Sequence, residues 1–148
     1  MNINIFERAI ELDPNALEGS ALTSLGSLYY QVPGWPIGFG DDKKAAEYLK
    51  KGLSINPDGI DPNYFYADYL FRSGDYSGAE KSLRKALQAP ARNGRKVADD
   101  GRRKEINQLL EKVAEKRPMK IKRKPISNLD FKLLKPCIIK RGKIKMNK

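Results

Sequence analysis

The 148-residue chain has no histidine. That removes the commonest general base, the Ser-His and Cys-His nucleophile pairs, and the commonest metal ligand. Carboxylate or lysine chemistry would need a cluster of such groups, and none stands out along the sequence. The single cysteine, Cys137, excludes an intramolecular disulfide framework and reads as a lone thiol. No run of 18 apolar residues is present, so no membrane-spanning helix is predicted. Met1–Leu12 is amphipathic, with Glu7, Arg8 and Glu11 inside it, which does not read as a secretory signal. The expectation is a non-enzymatic, cytoplasmic protein with no cofactor and no metal. A start truncated ahead of Met1 would instead allow a periplasmic or envelope protein.

Charge is present but segregated. Residues 1–116 hold 17 Lys/Arg and 17 Asp/Glu, whereas residues 117–148 hold 12 Lys/Arg and one acid, Asp130. The net +11 of the chain therefore lies entirely in the last segment. This predicts a neutral helical domain over 1–116 and a basic, flexible tail over 117–148.

Ala45-x-x-x-Leu49-x-x-Gly52-Leu53 returns as Ala79-x-x-x-Leu83-x-x-Ala86-Leu87, each pair 34 residues apart. A fixed period of this length marks a helix–turn–helix unit that stacks into a solenoid. The spacing predicts about six helices, and hence an all-α fold. The first covers 3–12, with Phe6, Ala9, Ile10 and Leu12 on one side. The second covers about 15–31, opened by Asp13 as cap and Pro14 in its first turn. The third runs from Asp41 or Asp42 to about Ile55. The fourth opens at Asp61-Pro62 and is aromatic nearly all round. The fifth covers about 76–89, with Ser77-x-x-Glu80 as a capping box. The sixth covers about 98–116, with a narrow stripe of Ile106, Leu109, Leu110 and Val113 that suits a terminal capping helix.

Residues 31–41 (QVPGWPIGFGD) hold two prolines and three glycines and must be a loop. Trp35 and Phe39 within it have two readings. Either they fold back to plug the end of the helix pair, or they form a lip on a ligand groove.

Residues 5–90 resemble the tetratricopeptide repeat. The residues that carry the likeness are Leu25, Gly26, Tyr29, Ala45, Leu49, Gly52 and Pro57 in one repeat. In the next they are Tyr66, Ala67, Leu70, Gly74, Tyr76, Ala79, Leu83 and Ala86. Phe6, Ala9 and Pro14 resemble a preceding half-repeat. Three departures stand out: seven extra residues in the first inter-helix turn, Gly52 where alanine is usual, and Pro90 one residue early. The loop LYYQVPGWPIGFGDD is similar to that of small bacterial members of the family, which tend to be exported.

The resemblance implies a right-handed α-α superhelix whose first helices line a concave groove for a partner peptide or helix. Thr23, Ser27, Tyr30, Tyr64, Asp68, Phe71 and Arg72 are the residues it places there. Tyr, Phe and Arg are types that supply interface hot spots. The Lys and Asn that clamp chaperone tails in one branch of the family are replaced by Thr23, Ser27, Tyr64 and Asp68, so no such binding is expected. An unpaired N-terminal half-repeat also makes self-association an expectation.

The tail contains Lys120, Lys122, Arg123 and Lys124, then Lys140, Arg141 and Lys143. It reads as a flexible tail or the product of an altered reading frame. It also reads as an electrostatic arm for nucleic acid or an anionic surface, or as a β-like segment around 131–139 that docks on the helices.

Overall fold

The computed structural model describes residues 3–117. Cys137, the basic clusters at Lys120, Lys122, Arg123, Lys124, Lys140, Arg141 and Lys143, and the β-like segment expected around 131–139 lie outside those residues. Six α-helices follow in order: α1 Ile3–Leu12, α2 Ser20–Gln31, α3 Asp42–Ile55, α4 Ile60–Arg72, α5 Tyr76–Leu87 and α6 Lys96–Lys116. A short 3-10 turn, Ala16–Gly19, precedes α2. Among the described residues no strand forms, and no helix is long and apolar enough to cross a membrane. The fold is all-α, a helical repeat as the periodicity predicts.

The helices pack as antiparallel pairs, α2 with α3 and α4 with α5. The 34-residue echo marks the second helix of each pair. Ala45 and Leu49 are buried in α3, as are their counterparts Ala79 and Leu83 in α5. Gly52 and Ala86 differ for a local reason. A Cβ on Gly52 would lie 2.6 Å from Thr23 Oγ1 on α2. Glycine leaves that space to the threonine, whereas Ala86 is itself buried in α5. Gly26 makes the reciprocal approach from α2, where a Cβ would meet Leu49 Cγ at 2.8 Å and the Leu49 backbone nitrogen at 3.0 Å.

Two apolar clusters form. Leu25, Tyr29 and Ala45 are covered by Ile3, Phe6 and Ile10 of α1, by Tyr48, and by Tyr69 of α4. Ile60, Ala67, Ala79, Leu83 and Ala86 are closed by Ile106, Leu109 and Val113 of α6. The single apolar stripe of α6 closes this cluster against α5 and α4, as suits a terminal helix.

Three predicted helix starts differ from those observed. α2 begins at Ser20, not near 15. Leu17 and Glu18 sit in the left-handed region, at φ of 50° and 58°, and break the helix there. Asp13 caps no helix; its carboxylate accepts the Asn15 N–H at 2.9 Å in a local turn. α4 begins at Ile60 with Gly59 ahead of it, so Asp61 lies inside the first turn and is free for other partners. α5 is capped by Asp75, which accepts from Gly78 N at 2.9 Å, so the predicted Ser77–Glu80 box is not what closes it. The third start agrees with expectation: Asp41 accepts from the backbone N–H groups of Lys43 and Lys44.

The 31–41 loop is closed by its own backbone and contains a cis peptide at Trp35-Pro36. Phe39 folds back edge-on to Tyr29, with ring centroids 5.9 Å apart. Trp35 does not plug the helix pair; it is 90% exposed. The loop's own hydrogen bonds fix Trp35 at a tip that no helix covers, so half of that expectation is corrected.

Candidate functional site

α2, α4 and α6 run side by side in the same direction. Tyr30, late in α2, meets Asp68 and Tyr69, late in α4. Asp61, early in α4, meets Arg102 in the first half of α6. These three helices present a shared surface with two polar centres, one at each end.

At the late end, the Tyr30 hydroxyl donates to Asp68 Oδ2 at 2.8 Å, and Arg72 Nε donates to the same oxygen at 3.2 Å. The Arg72 guanidinium also lies over the Tyr30 ring, 5.3 Å from its centroid. Burial, and then the Asp68 carboxylate, raise the Tyr30 phenol above its ordinary pKa. The phenol therefore remains a neutral donor at any physiological pH. Arg72 is more than half exposed beside it.

At the early end, the first halves of α2, α4 and α6 and the loop before α6 enclose a cleft of about 730 Å³. Phe65 and Pro62 give it apolar surface, and its charged lining is Arg92, Arg95 and Arg102 with Glu18 and Asp61. Asp61 divides its carboxylate: Oδ1 accepts from Arg102 at 2.8 Å and Oδ2 from Arg92 at 2.7 Å. Arg92 is held from behind by Asp99, which is 4% exposed and accepts from its backbone N–H, Nε and Nη2. Those hydrogen bonds hold the Asp99 carboxyl below the usual carboxylate range against the cost of burial. The Arg102 guanidinium lies over two neighbouring rings, 4.5 Å from the Tyr64 centroid and 4.7 Å from that of Phe65. Arg95 lines the cleft and is exposed.

The predicted groove residues divide. Tyr30, Asp68 and Arg72 come together as one hydrogen-bonded unit. Tyr64 belongs to the other centre, under Arg102. Phe71 packs instead beside Tyr76 of α5, with centroids 5.6 Å apart. Thr23 is 4% exposed and touches the cleft only at its floor. Ser27 is buried, its hydroxyl donating to the Ser24 carbonyl. Trp35 and Phe39 sit on the loop that follows α2, past its late end.

Asp61, Phe65, Arg92, Arg95 and Arg102 were not among the predicted groove residues. The one signal that points to them is the run of arginines at 92, 95, 102 and 103 directly after the second repeat. Of these, Arg103 is structural: it donates to the Leu87 and Ala89 carbonyls and closes the end of α5. Among the described residues no group of three or more His, Cys, Asp or Glu could hold a metal ion.

Residues 60–93 match a family model described as a tetratricopeptide repeat. The match spans α4, α5 and the start of the loop that carries Arg92. No curated protein matches the chain.

Proposed function

We propose that this chain works as a non-enzymatic scaffold, a reading supported by the tetratricopeptide repeat matched at residues 60–93. In this reading a partner peptide or helix lies along the shared surface of α2, α4 and α6. Tetratricopeptide repeats are protein-interaction modules, and the proposal concerns where on this chain the partner lies. The observation that carries it is the cleft of about 730 Å³ between the first halves of these helices. It combines apolar walls with fixed charge, the composition of a recognition site.

Two features support a preformed site. Arg102 is held by Asp61, by Glu105 and against the Tyr64 and Phe65 rings, so little side-chain freedom remains to be lost on binding. Arg72 offers a second anchor at the other end of the surface. Phe65, Arg95 and Arg102 would contact the partner in the cleft, and Tyr30 and Arg72 would contact it beyond.

A photocrosslinking amino acid placed at Ser24, in the cleft wall, tests this against the same probe at Lys50 on exposed α3. The partner should crosslink from position 24 and not from 50, and Arg95→Glu with Arg72→Ala should abolish capture. Equal crosslinking from both positions, or from 50 alone, would place the partner elsewhere.

A further inference from the structure

Residues 88–95 join α5 to α6, and the part from Pro90 onward forms one wall of the cleft. Both ends of its last turn are tied down. Arg92 donates its backbone N–H to Asp99 Oδ2 at 3.0 Å and its side chain to Asp99 and Asp61. Arg95 donates its N–H to the Arg92 carbonyl at 3.2 Å, and its own carbonyl accepts the Asp99 N–H at 2.9 Å. Between these anchors lie Asn93 and Gly94, both exposed. Gly94 sits at a φ of 69°, and a Cβ built on it would meet nothing within 4 Å. Among the described residues, no group accepts from the Gly94 N–H and none bonds to the Asn93 side-chain amide.

We propose that Asn93 loses its side-chain amide spontaneously, through a cyclic imide with Gly94, and leaves an aspartate or isoaspartate in the cleft wall. The Gly94 nitrogen gives up its proton and attacks Asn93 Cγ. A bond forms between them, the bond from Cγ to the amide nitrogen breaks, and that nitrogen takes a proton and leaves as ammonia. Water then opens the ring. Cleavage of the new bond gives aspartate. Cleavage at the Asn93 backbone carbonyl gives isoaspartate, with the chain rerouted through the side chain. Water is the sole co-reactant. Glycine suits the step because no side chain blocks its nitrogen. Arg95, an exposed cation close by in the chain, favours the anion that attacks.

Comparable steps elsewhere among the described residues are blocked. Asn56 precedes Pro57, which has no N–H to attack with. Asn63 is buried and donates to the Pro57 and Gly59 carbonyls. Ala16, after Asn15, gives its N–H to the Asp13 carbonyl. Of the aspartate–glycine steps, Gly59 donates to the Asn56 carbonyl at 3.3 Å, and Gly101 lies inside α6. The product at Asn93 changes the cleft in two ways. It adds a carboxylate beside Arg95, and as isoaspartate it lengthens the backbone between Arg92 and Arg95, which both line the cleft. Added charge of this kind acts on local ion pairs. Its effect on a partner rests on the cleft being the recognition site, as proposed above; the chemistry does not.

The full-length chain is incubated at mildly alkaline pH, folded and in urea, then digested and mapped by mass spectrometry. Asn93 should be the first asparagine of residues 3–117 to convert, with isoaspartate detected by enzymatic methylation. Isoaspartate marks the ring, since direct hydrolysis of the amide gives aspartate alone. The folded chain should react within roughly tenfold of the rate in urea, because an exposed loop gives little local protection. Asn93→Gln should remain unmodified at that position and keep the circular dichroism of the parent. Three results would overturn the proposal: another asparagine of this region converting first, a product without isoaspartate, or a folded rate more than roughly tenfold below the rate in urea. The mapping needs no partner, so its failure would leave the cleft reading standing. Failed crosslinking from Ser24 would in turn leave the chemistry at Asn93 intact.

Discussion

The Tyr30 hydroxyl lies 2.8 Å from Asp68 Oδ2 and donates to it across the join between the two helix pairs. The two residues are 38 apart in sequence, and the bond ties α2 directly to α4. It also orients Asp68 toward Arg72, which shares the same oxygen. One hydroxyl thus fixes both the stacking of the pairs and the position of an exposed arginine.

Tyr30→Phe removes that bond and leaves Asp68 to Arg72. The expected loss is about 1 kcal/mol by urea unfolding, the usual scale for one hydrogen bond to a partly exposed charge. The variant should also change the alkaline limb. The folded-state pKa of Tyr30 is raised by burial and by Asp68. Its contribution is complete below the unfolded value near 10 and declines as pH rises past it. Stability of the parent chain should therefore fall more steeply above about pH 10 than that of Tyr30→Phe. Equal slopes would remove Tyr30 from the alkaline loss.

Asp99 gives the acid counterpart. Its carboxyl is held low by the hydrogen bonds from Arg92. A depressed folded-state pKa contributes stability above the unfolded value near 4, and that stability is lost as pH falls through the folded one. Asp99→Asn should cost roughly 1–3 kcal/mol at neutral pH, because Arg92 loses its charged hydrogen bonds to Asp99 and keeps only Asp61 as counter-charge. The gap between the two proteins should close below about pH 4 in thermal melts. A gap that stays constant with pH would show that packing, not charge, sets the cost.

Gly26 and Gly52 separate two kinds of close approach. A side chain at Gly26 meets the Leu49 backbone, which cannot move aside. Gly26→Ala should cost roughly 1–3 kcal/mol despite alanine's better helix propensity. A side chain at Gly52 meets only Thr23 Oγ1, which holds a long 3.4 Å bond to the Gly19 carbonyl. Gly52→Ala should be destabilising alone and relieved by Thr23→Ala in the same chain. Denaturation of the two single variants and the double variant gives the coupling; strict additivity would count against the contact.

Leu17 is 85% exposed at a φ of 50°, where a branched side chain is crowded against its own backbone. Leu17→Asn should stabilise the protein by about 0.5–1 kcal/mol, because asparagine tolerates this region and no packing is lost. A lower melting temperature would mean that the leucine makes contacts its exposure does not suggest.

The sequence by itself determined the helices and their burial. The 34-residue period is imposed by packing between adjacent helices, and such packing repeats along the chain. Ala45, Leu49, Ala79 and Leu83 could therefore be placed in the core from spacing alone. The tertiary structure decided the polar centres and the loop. Asp61 meets Arg92 and Arg102 across 31 and 41 residues, and no periodicity records such a pairing. Asp61 read as a helix cap because Asp-Pro usually is one; only the position of Gly59 at the start of α4 frees its carboxylate for two arginines. The left-handed turn at Leu17 and Glu18 was equally hidden, since neither residue favours it. Glu18 there accepts a hydrogen bond from Asn56 at 2.6 Å, a partner that folding alone supplies. For Trp35 the loop composition allows a plug on the helix pair or a lip on the groove, and the structure leaves it 90% exposed. That exposure follows from the backbone hydrogen bonds that close the loop, whose partners only the folded chain reveals.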